Sequence, residues 1–323
     1  MVRSFKILFA FLRLIRTPNL IIIALTQYFI RWFILKPLLL VSDFRVQLSG
    51  MQFFLLVLST MLIAAAGYII NDYFDRKTDL INRPGKVIVG RLISRRYAII
   101  FHILFSAVGI LLGMYLAKSI NKLSLSVVFI FATGVLWFYS TTYKRQLLVG
   151  NLVISFLVGV VPLLVLIFEF PLLVNRYKLY ILATGVNLHY LVFWIVSYAV
   201  FAFVINLIRE IIKDMEDFEG DYIFGRQTVP IVWGINASKG IVISLIFLTI
   251  IPIFYLLVFH LSDKISFTYI ILFIVVPLII IAFGVFWASS KKQYYILSQL
   301  TKLVMLTGLL YCPLVNYIVS SYK

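Results

Sequence analysis

Nine stretches of about 20 mostly apolar residues run through this chain, at 18–36, 51–72, 97–117, 123–142, 147–168, 188–212, 240–259, 266–288 and 300–320. Each is long enough to cross the hydrocarbon core of a bilayer as a helix. Little remains between them to build a water-facing surface. Charged residues make up 13% of the 323, against about 25% in soluble domains. The chain is therefore read as a single all-α domain, 1–323, a polytopic membrane bundle of nine transmembrane helices. Before the first span, Phe5, Leu8, Phe9, Leu12 and Ile15 alternate with Arg3, Lys6, Arg13 and Arg16. No long apolar core or small-residue cleavage site follows, so residues 1–17 are expected to form an amphipathic helix on the membrane surface.

The net charge is +17. The basic residues are scattered through short loops rather than gathered on one domain, which argues against nucleic acid and fits loops that fix topology beside anionic lipid. With the N-terminus inside, cytoplasmic segments hold 20 of the 29 Lys and Arg and the other side, Lys323 included, holds 8. The N-terminus is thus expected in the cytoplasm and the C-terminus opposite. Arg31 lies inside the first span and is read as snorkelling toward the outer face. The single cysteine, Cys312, excludes a disulfide framework or a multi-cysteine metal centre. His102, His189 and His260 form no ligand pair at helical spacing.

The acidic residues are few and concentrated. Of 12, three are Asp72, Asp75 and Asp79, and six are Glu210, Asp214, Glu216, Asp217, Glu219 and Asp221. Both segments follow spans that end on the cytoplasmic side by the charge count. Asp72, Asp75 and Asp79 stand at i, i+3 and i+7, and Asp214, Asp217 and Asp221 repeat the spacing. At about 100° per residue each set falls within roughly 60° on one helix face, provided the helix continues that far. Like charges so placed repel, so a chain that keeps two such stripes is expected to put cations among them. Oxygen donors with no His or Cys nearby suit Mg²⁺, which bridges one or two carboxylates to substrate phosphates. Two stripes with nearby bases read as a diphosphate clamp. The bases are Arg83, Lys86 and Arg91, then Lys144 and Arg145, then Arg209 and Lys213. Asn206 lies one turn before Arg209 and shares that face of span six. Ala64–Ala65–Ala66–Gly67 offers a small-residue surface for helix packing.

These residues resemble a known family. Asn71-Asp72-Tyr73-Phe74-Asp75-Arg76-Lys77-Thr78-Asp79 is similar to the NDxxDxxxD signature of the UbiA superfamily of intramembrane prenyltransferases. Asp214 to Asp221 resembles its second aspartate motif and is followed by Gly225-Arg226-Gln227-Thr228-Val229-Pro230. Tyr139 to Arg145 resembles the family's tyrosine–lysine segment, with Gly150-Asn151 after it, and Arg16-Thr17-Pro18-Asn19 its N-terminal motif. Asn82-Arg83-Pro84 and Lys213 to Asp221 look most like the digeranylgeranylglyceryl phosphate synthase branch. One departure stands out: Lys86-Val87-Ile88-Val89-Gly90 replaces the Arg-Pro-Ile/Leu-Pro-Ser-Gly of many relatives.

The resemblance implies transfer of a prenyl group from a prenyl diphosphate to a membrane-associated acceptor, in a central cavity open to lipid. Asn71, Asp72, Asp75, Asp79, Asp214, Asp217 and Asp221 would hold Mg²⁺ and diphosphate, and Lys144, with Arg83 or Lys86, would contact the diphosphate. Arg16, Asn19, Tyr139, Tyr143 and Asn206 are the expected substrate-binding residues. Each of Tyr68, Tyr73, Tyr139, Tyr143 and Tyr198 is read first as a membrane-interface tyrosine, and alternatively as a wall residue offering its ring face to an allylic cation. A glycerol-phosphate-type lipid is the expected acceptor; an aromatic quinone precursor or a haem precursor stays open. The bilayer is the expected partner, and no protein partner is implied. Two readings of other classes also stay open, a secondary transporter and a non-catalytic lipid-binding protein.

Overall fold

The computed structural model describes residues 2–259, 261 and 263–321. His260 and Lys323 fall outside them. Fifteen α-helices follow in order: α1 (Val2–Leu14), α2 (Thr17–Phe29), α3 (Lys36–Val41), α4 (Gly50–Asn82), α5 (Arg95–Ser119), α6 (Val127–Thr141), α7 (Val149–Arg176), α8 (Lys178–Thr184), α9 (His189–Glu216), α10 (Phe218–Ile223), α11 (Val229–Val232), α12 (Ile235–Phe259), α13 (Lys264–Ile270), α14 (Val276–Trp287) and α15 (Lys291–Ser321). Turns of π-helix at Ile30–Leu35 and Ile271–Val275 join α2 to α3 and α13 to α14. Among the described residues, nine helical stretches are long and apolar enough to cross a membrane. They coincide with the nine expected, and the protein is an all-α integral membrane protein.

The chain packs as two compact units. The first comprises the chain through Tyr28, Arg45–Lys144 and Leu164–Asn187; the second comprises Phe29–Phe44, Arg145–Leu163 and the chain from Leu188.

In the first unit α4 and α5 pack through small residues. Ser59 Oγ donates to Gly109 O at 2.6 Å, and Ala65 and Ala66 are buried, as the small-residue run leads one to expect. At Gly113 a Cβ would come within 2.2 Å of the Phe129 ring. That ring is buried and packs on Phe168 at 5.5 Å between centroids, so it has nowhere to go. Gly113→Ala is expected to lose about 1–3 kcal/mol to overpacking, more than the ~1 kcal/mol gained in helix propensity. Gly134 of α6 has nothing within 4 Å of its Cβ position, so Gly134→Ala is expected to keep the propensity gain. Thermal melting in detergent should move the two variants in opposite directions.

The segment before α4 is fixed by a buried acid. Glu169 of α7, 1% exposed, accepts from the backbone N–H of Gln47 and from that of Leu48 at 3.2 Å. Ser49 and Gln52 then close a capping box that starts α4. At the other end of α4, α1 lays Ala10 and Leu14 into a cluster with Ile69, Val89, Ile93 and Ala98, while Phe5, Leu8 and Phe9 stay exposed.

In the second unit α9 packs along α15 and α12. Gly159 sits 3.0 Å, by its Cβ position, from Ala199 O of α9. Arg31 corrects an expectation. It lies on the π-turn, is 5% exposed and has Trp32 within 6.0 Å, so it is buried in the protein rather than snorkelled to the outer face. The π-turn widens the helix by a residue and turns this position inward.

Candidate active site

The first acidic segment lies wholly on α4, which runs past the expected end of the span to Asn82. Its carboxylates therefore keep one helical phase. Arg16 Nη2 donates to Asp72 Oδ1 at 2.9 Å, and its guanidinium lies 4.9 Å from the centre of the Tyr68 ring. Arg16 has φ 52°, a left-handed conformation at the break between α1 and α2 that non-glycine residues rarely adopt. Burial would lower the Arg16 pKa, yet the Asp72 charge and hydrogen bond hold it above its ordinary value. Lys144, on the 3₁₀ turn Tyr143–Arg145, reaches Asp75 Oδ1 at 2.6 Å and Asn71 Oδ1 at 3.3 Å. The pair is enclosed, with side-chain exposures of 6% and 12%. Asp79 is half-buried one turn further on, and its carbonyl receives the N–H of Arg83, which caps α4. Lys86 is exposed on the Pro84–Lys86 turn.

The second acidic segment does not keep one helix. α9 ends at Glu216, Asp217 stands at φ −93°, ψ 10°, and α10 begins at Phe218. The expected continuous stripe is thus broken at its middle member. The interruption is a single residue: the Asp217 N–H still reaches Lys213 O at 2.9 Å and its carbonyl receives the Asp221 N–H at 3.1 Å, while Glu216, Asp217, Glu219 and Asp221 fall within six residues, a spacing at which like charges weaken a helix. Asp214, still on α9, accepts from Asn151 Nδ2 of α7 at 2.7 Å. Asp221 is 2% exposed and pairs with Arg226 Nη1 at 3.2 Å. Arg209 and Lys213 hold Glu210 between them, at 2.7 and 3.4 Å. Asn206 turns to Ser155 Oγ at 3.1 Å. Arg145 is exposed, and its carbonyl receives Gln227 N–H at 3.0 Å.

Of the tyrosines, Tyr73 is taken by Arg95, which donates to its hydroxyl at 2.8 Å and covers its ring at 4.6 Å. Tyr143 packs on Phe138 at 6.1 Å. Tyr139 and Asn19 are half-buried. The amino-acid order gives Asn151 no role and does not identify Arg226 as the partner of Asp221. The Gly-Asn pair after the tyrosine–lysine segment was the available signal for the first.

Among the described residues no three His, Cys, Asp or Glu side chains gather to hold a metal ion by themselves. The donor chemistry nevertheless fits Mg²⁺. Asn71, Asp72, Asp75 and Asp79 supply only oxygen from one helix face, and Mg²⁺ completes its shell with water and phosphate oxygens. Five carboxylates of the two segments, Asp72, Asp75, Glu210, Asp214 and Asp221, are held by named polar partners.

Among the described residues, nine membrane-length helices, two of which (α4 and α9) carry acids held by bases or an amide near one end, define an integral membrane protein with its polar chemistry at helix ends. The chain belongs to the UbiA prenyltransferase family, which it matches over residues 37–304. It is 32% identical to the digeranylgeranylglyceryl phosphate synthase of Methanopyrus kandleri, over 77% of this chain and 82% of that one. It is 35% identical to the synthase of the same name from Thermococcus sibiricus, over 58% of each chain, so the match spans less than two thirds of that relative's length. In fold it is similar to a solved digeranylgeranylglyceryl phosphate synthase, with a TM-score of 0.61, 23% identity and coverage of 96% and 99%. It is also similar to a UbiA homologue from Archaeoglobus fulgidus bound to GPP and Mg²⁺, with a TM-score of 0.56, 18% identity and coverage of 97% and 99%. At these identities the structural likenesses concern the fold.

Proposed function

We propose that this protein is a Mg²⁺-dependent prenyltransferase that moves a prenyl group from a prenyl diphosphate to a membrane-associated acceptor, best matched by a glycerol-phosphate-type lipid. The observation that carries the reading is the Asn71–Asp75–Lys144 constellation beside Asp72. It joins oxygen donors for a hard cation to an enclosed base able to hold a phosphate oxygen. Relatives named as digeranylgeranylglyceryl phosphate synthases support the acceptor class.

In this reading Asp72, Asp75 and Asp79, with Asp214, Asp217 and Asp221, bind Mg²⁺ and diphosphate. Bound Mg²⁺ supplies neutralisation of the leaving group's charge. Lys144, Arg83 and Lys86 add positive charge to the departing diphosphate. Arg16, Asn19, Tyr139 and Tyr143 lie toward the substrate, and ring faces stabilise positive charge on the allylic carbon. The isoprenoid tail is already dissolved in the bilayer, and exclusion of water from the allylic carbon falls to the protein. The N-terminus and both acidic segments are cytoplasmic, and the C-terminus is opposite. The chain acts as one catalytic domain.

The test is an acceptor panel. Purified protein in lipid receives Mg²⁺, geranylgeranyl diphosphate and geranylgeranylglyceryl phosphate, dihydroxynaphthoate, 4-hydroxybenzoate, homogentisate or haem. Diphosphate release and product mass are read together. The expected result is a prenylated glyceryl phosphate lipid, lost with Asp75→Ala and with Asp217→Ala. A prenylated aromatic or haem product would reassign the acceptor. With folded protein and varied prenyl lengths, absence of release would favour a transporter or a lipid-binding protein.

A further inference from the structure

The first two carboxylates of α4 each already hold a cation. Arg16 lies 2.9 Å from Asp72 and Lys144 lies 2.6 Å from Asp75. Lys144 is enclosed, and Arg16, whose side chain is 36% exposed, is tethered at its base. Arg16 is fixed by its left-handed backbone, by the Tyr68 ring beneath it, and by α1, whose Ala10 and Leu14 are packed with Ile69 of α4. Lys144 is enclosed and shares its ammonium between Asp75 and Asn71. In charge, Asp72 with Arg16 and Asp75 with Lys144 make two neutral pairs.

A bare dication approaching either aspartate must displace a held positive charge or lie beside it, and both are unfavourable in a partly buried place. A metal ion that arrives on a diphosphate brings its own acceptors. Arg16 and Lys144 can then pass to phosphate oxygens while Asp72 and Asp75 pass to the metal, so that no charge is left without a partner. Resting on the prenyl-diphosphate reading above, we infer that Arg16 and Lys144 are resident counter-ions that enforce joint loading: they hold Asp72 and Asp75 against bare Mg²⁺ and yield them when metal and diphosphate bind together. Arg16 then has two places to be, on Asp72 before loading and on the phosphate after it. Its attachment to α1 limits the movement to the side chain.

Calorimetric titration of the full chain in detergent tests this, with Mg²⁺ alone, inorganic pyrophosphate alone, and both. Wild type, Arg16→Gln and Arg16→Lys are compared, and thermal melting confirms that each is folded. The second acidic segment is unaltered in all three, so differences report on the Asp72 side. The expected result is weak Mg²⁺ binding and tight joint binding in wild type. Arg16→Gln should tighten Mg²⁺ alone by about tenfold or more and weaken joint binding, while Arg16→Lys keeps the wild-type order. A residue that only supported the fold would not tighten anything when removed. Arg16→Gln with Mg²⁺ affinity unchanged or reduced overturns the inference and leaves the enzyme reading standing. Folded wild type that binds no Mg²⁺–pyrophosphate overturns both.

Discussion

Lys144→Met is expected to cost about 3–5 kcal/mol of stability and to abolish prenyl transfer. The cost follows from enclosure. Lys144 and Asp75 are 2.6 Å apart, with side-chain exposures of 6% and 12%, so removal of the ammonium takes the closest base away from a buried carboxylate. An exposed pair would cost less than about 1 kcal/mol, and this difference makes the measurement informative. Asp75→Asn in the same chain removes the buried charge that Lys144 balances. Lys144→Met/Asp75→Asn should therefore recover most of the lost melting temperature without recovering diphosphate release. Thermal melting in detergent, read with diphosphate release, separates the two roles. A Lys144→Met single variant that melts with wild type would show the pair to be open to water.

Glu169→Ala is the second large effect, and it lies outside the chemistry. The carboxylate accepts from two successive backbone N–H groups, of Gln47 and Leu48, where a buried donor left unpaired costs about 1–3 kcal/mol. Loss of both, with the space left behind, puts the expected destabilisation at roughly 2–5 kcal/mol. Glu169→Gln keeps one acceptor oxygen and should fall well short of that. Both variants should retain transfer per folded molecule. The Glu169 variants thus test the fold without touching the aspartates, whereas Lys144→Met tests both at once.

Much of this was legible in the amino-acid order because the bilayer removes alternatives. A span of about 20 apolar residues has few ways to satisfy its backbone other than a helix, so all nine spans could be placed from length and composition. The carboxylates were legible because 9 of 12 acids fall in two segments. The partners of those carboxylates were not. Lys144 could be picked as a base near phosphate, but nothing in its sequence neighbourhood places it on Asp75, 69 residues earlier. Glu169 looks like a stray acid inside an apolar run, and only the fold brings Gln47 and Leu48 to it. The burial of Arg31 is invisible to hydropathy, which cannot register a π-turn that changes the phase of one residue without changing composition. The helix break after Glu216 was hidden for a related reason: periodicity fits the spacing of Asp214, Asp217 and Asp221 whether or not the helix continues through them.

That break gives the two acidic segments different tolerances to length. On α4 one residue added or lost between Asp72 and Asp79 would rotate everything downstream by about 100° and send a carboxylate to the wrong side. Chain length there is locked, and variation must come by substitution. Between Asp214 and Asp221 the chain passes through a non-helical Asp217 into a six-residue helix, whose angle can absorb an insertion or deletion. Length drift among descendants of this chain should therefore collect in the second segment. A designer wishing to lengthen or graft one of the two motifs should cut there.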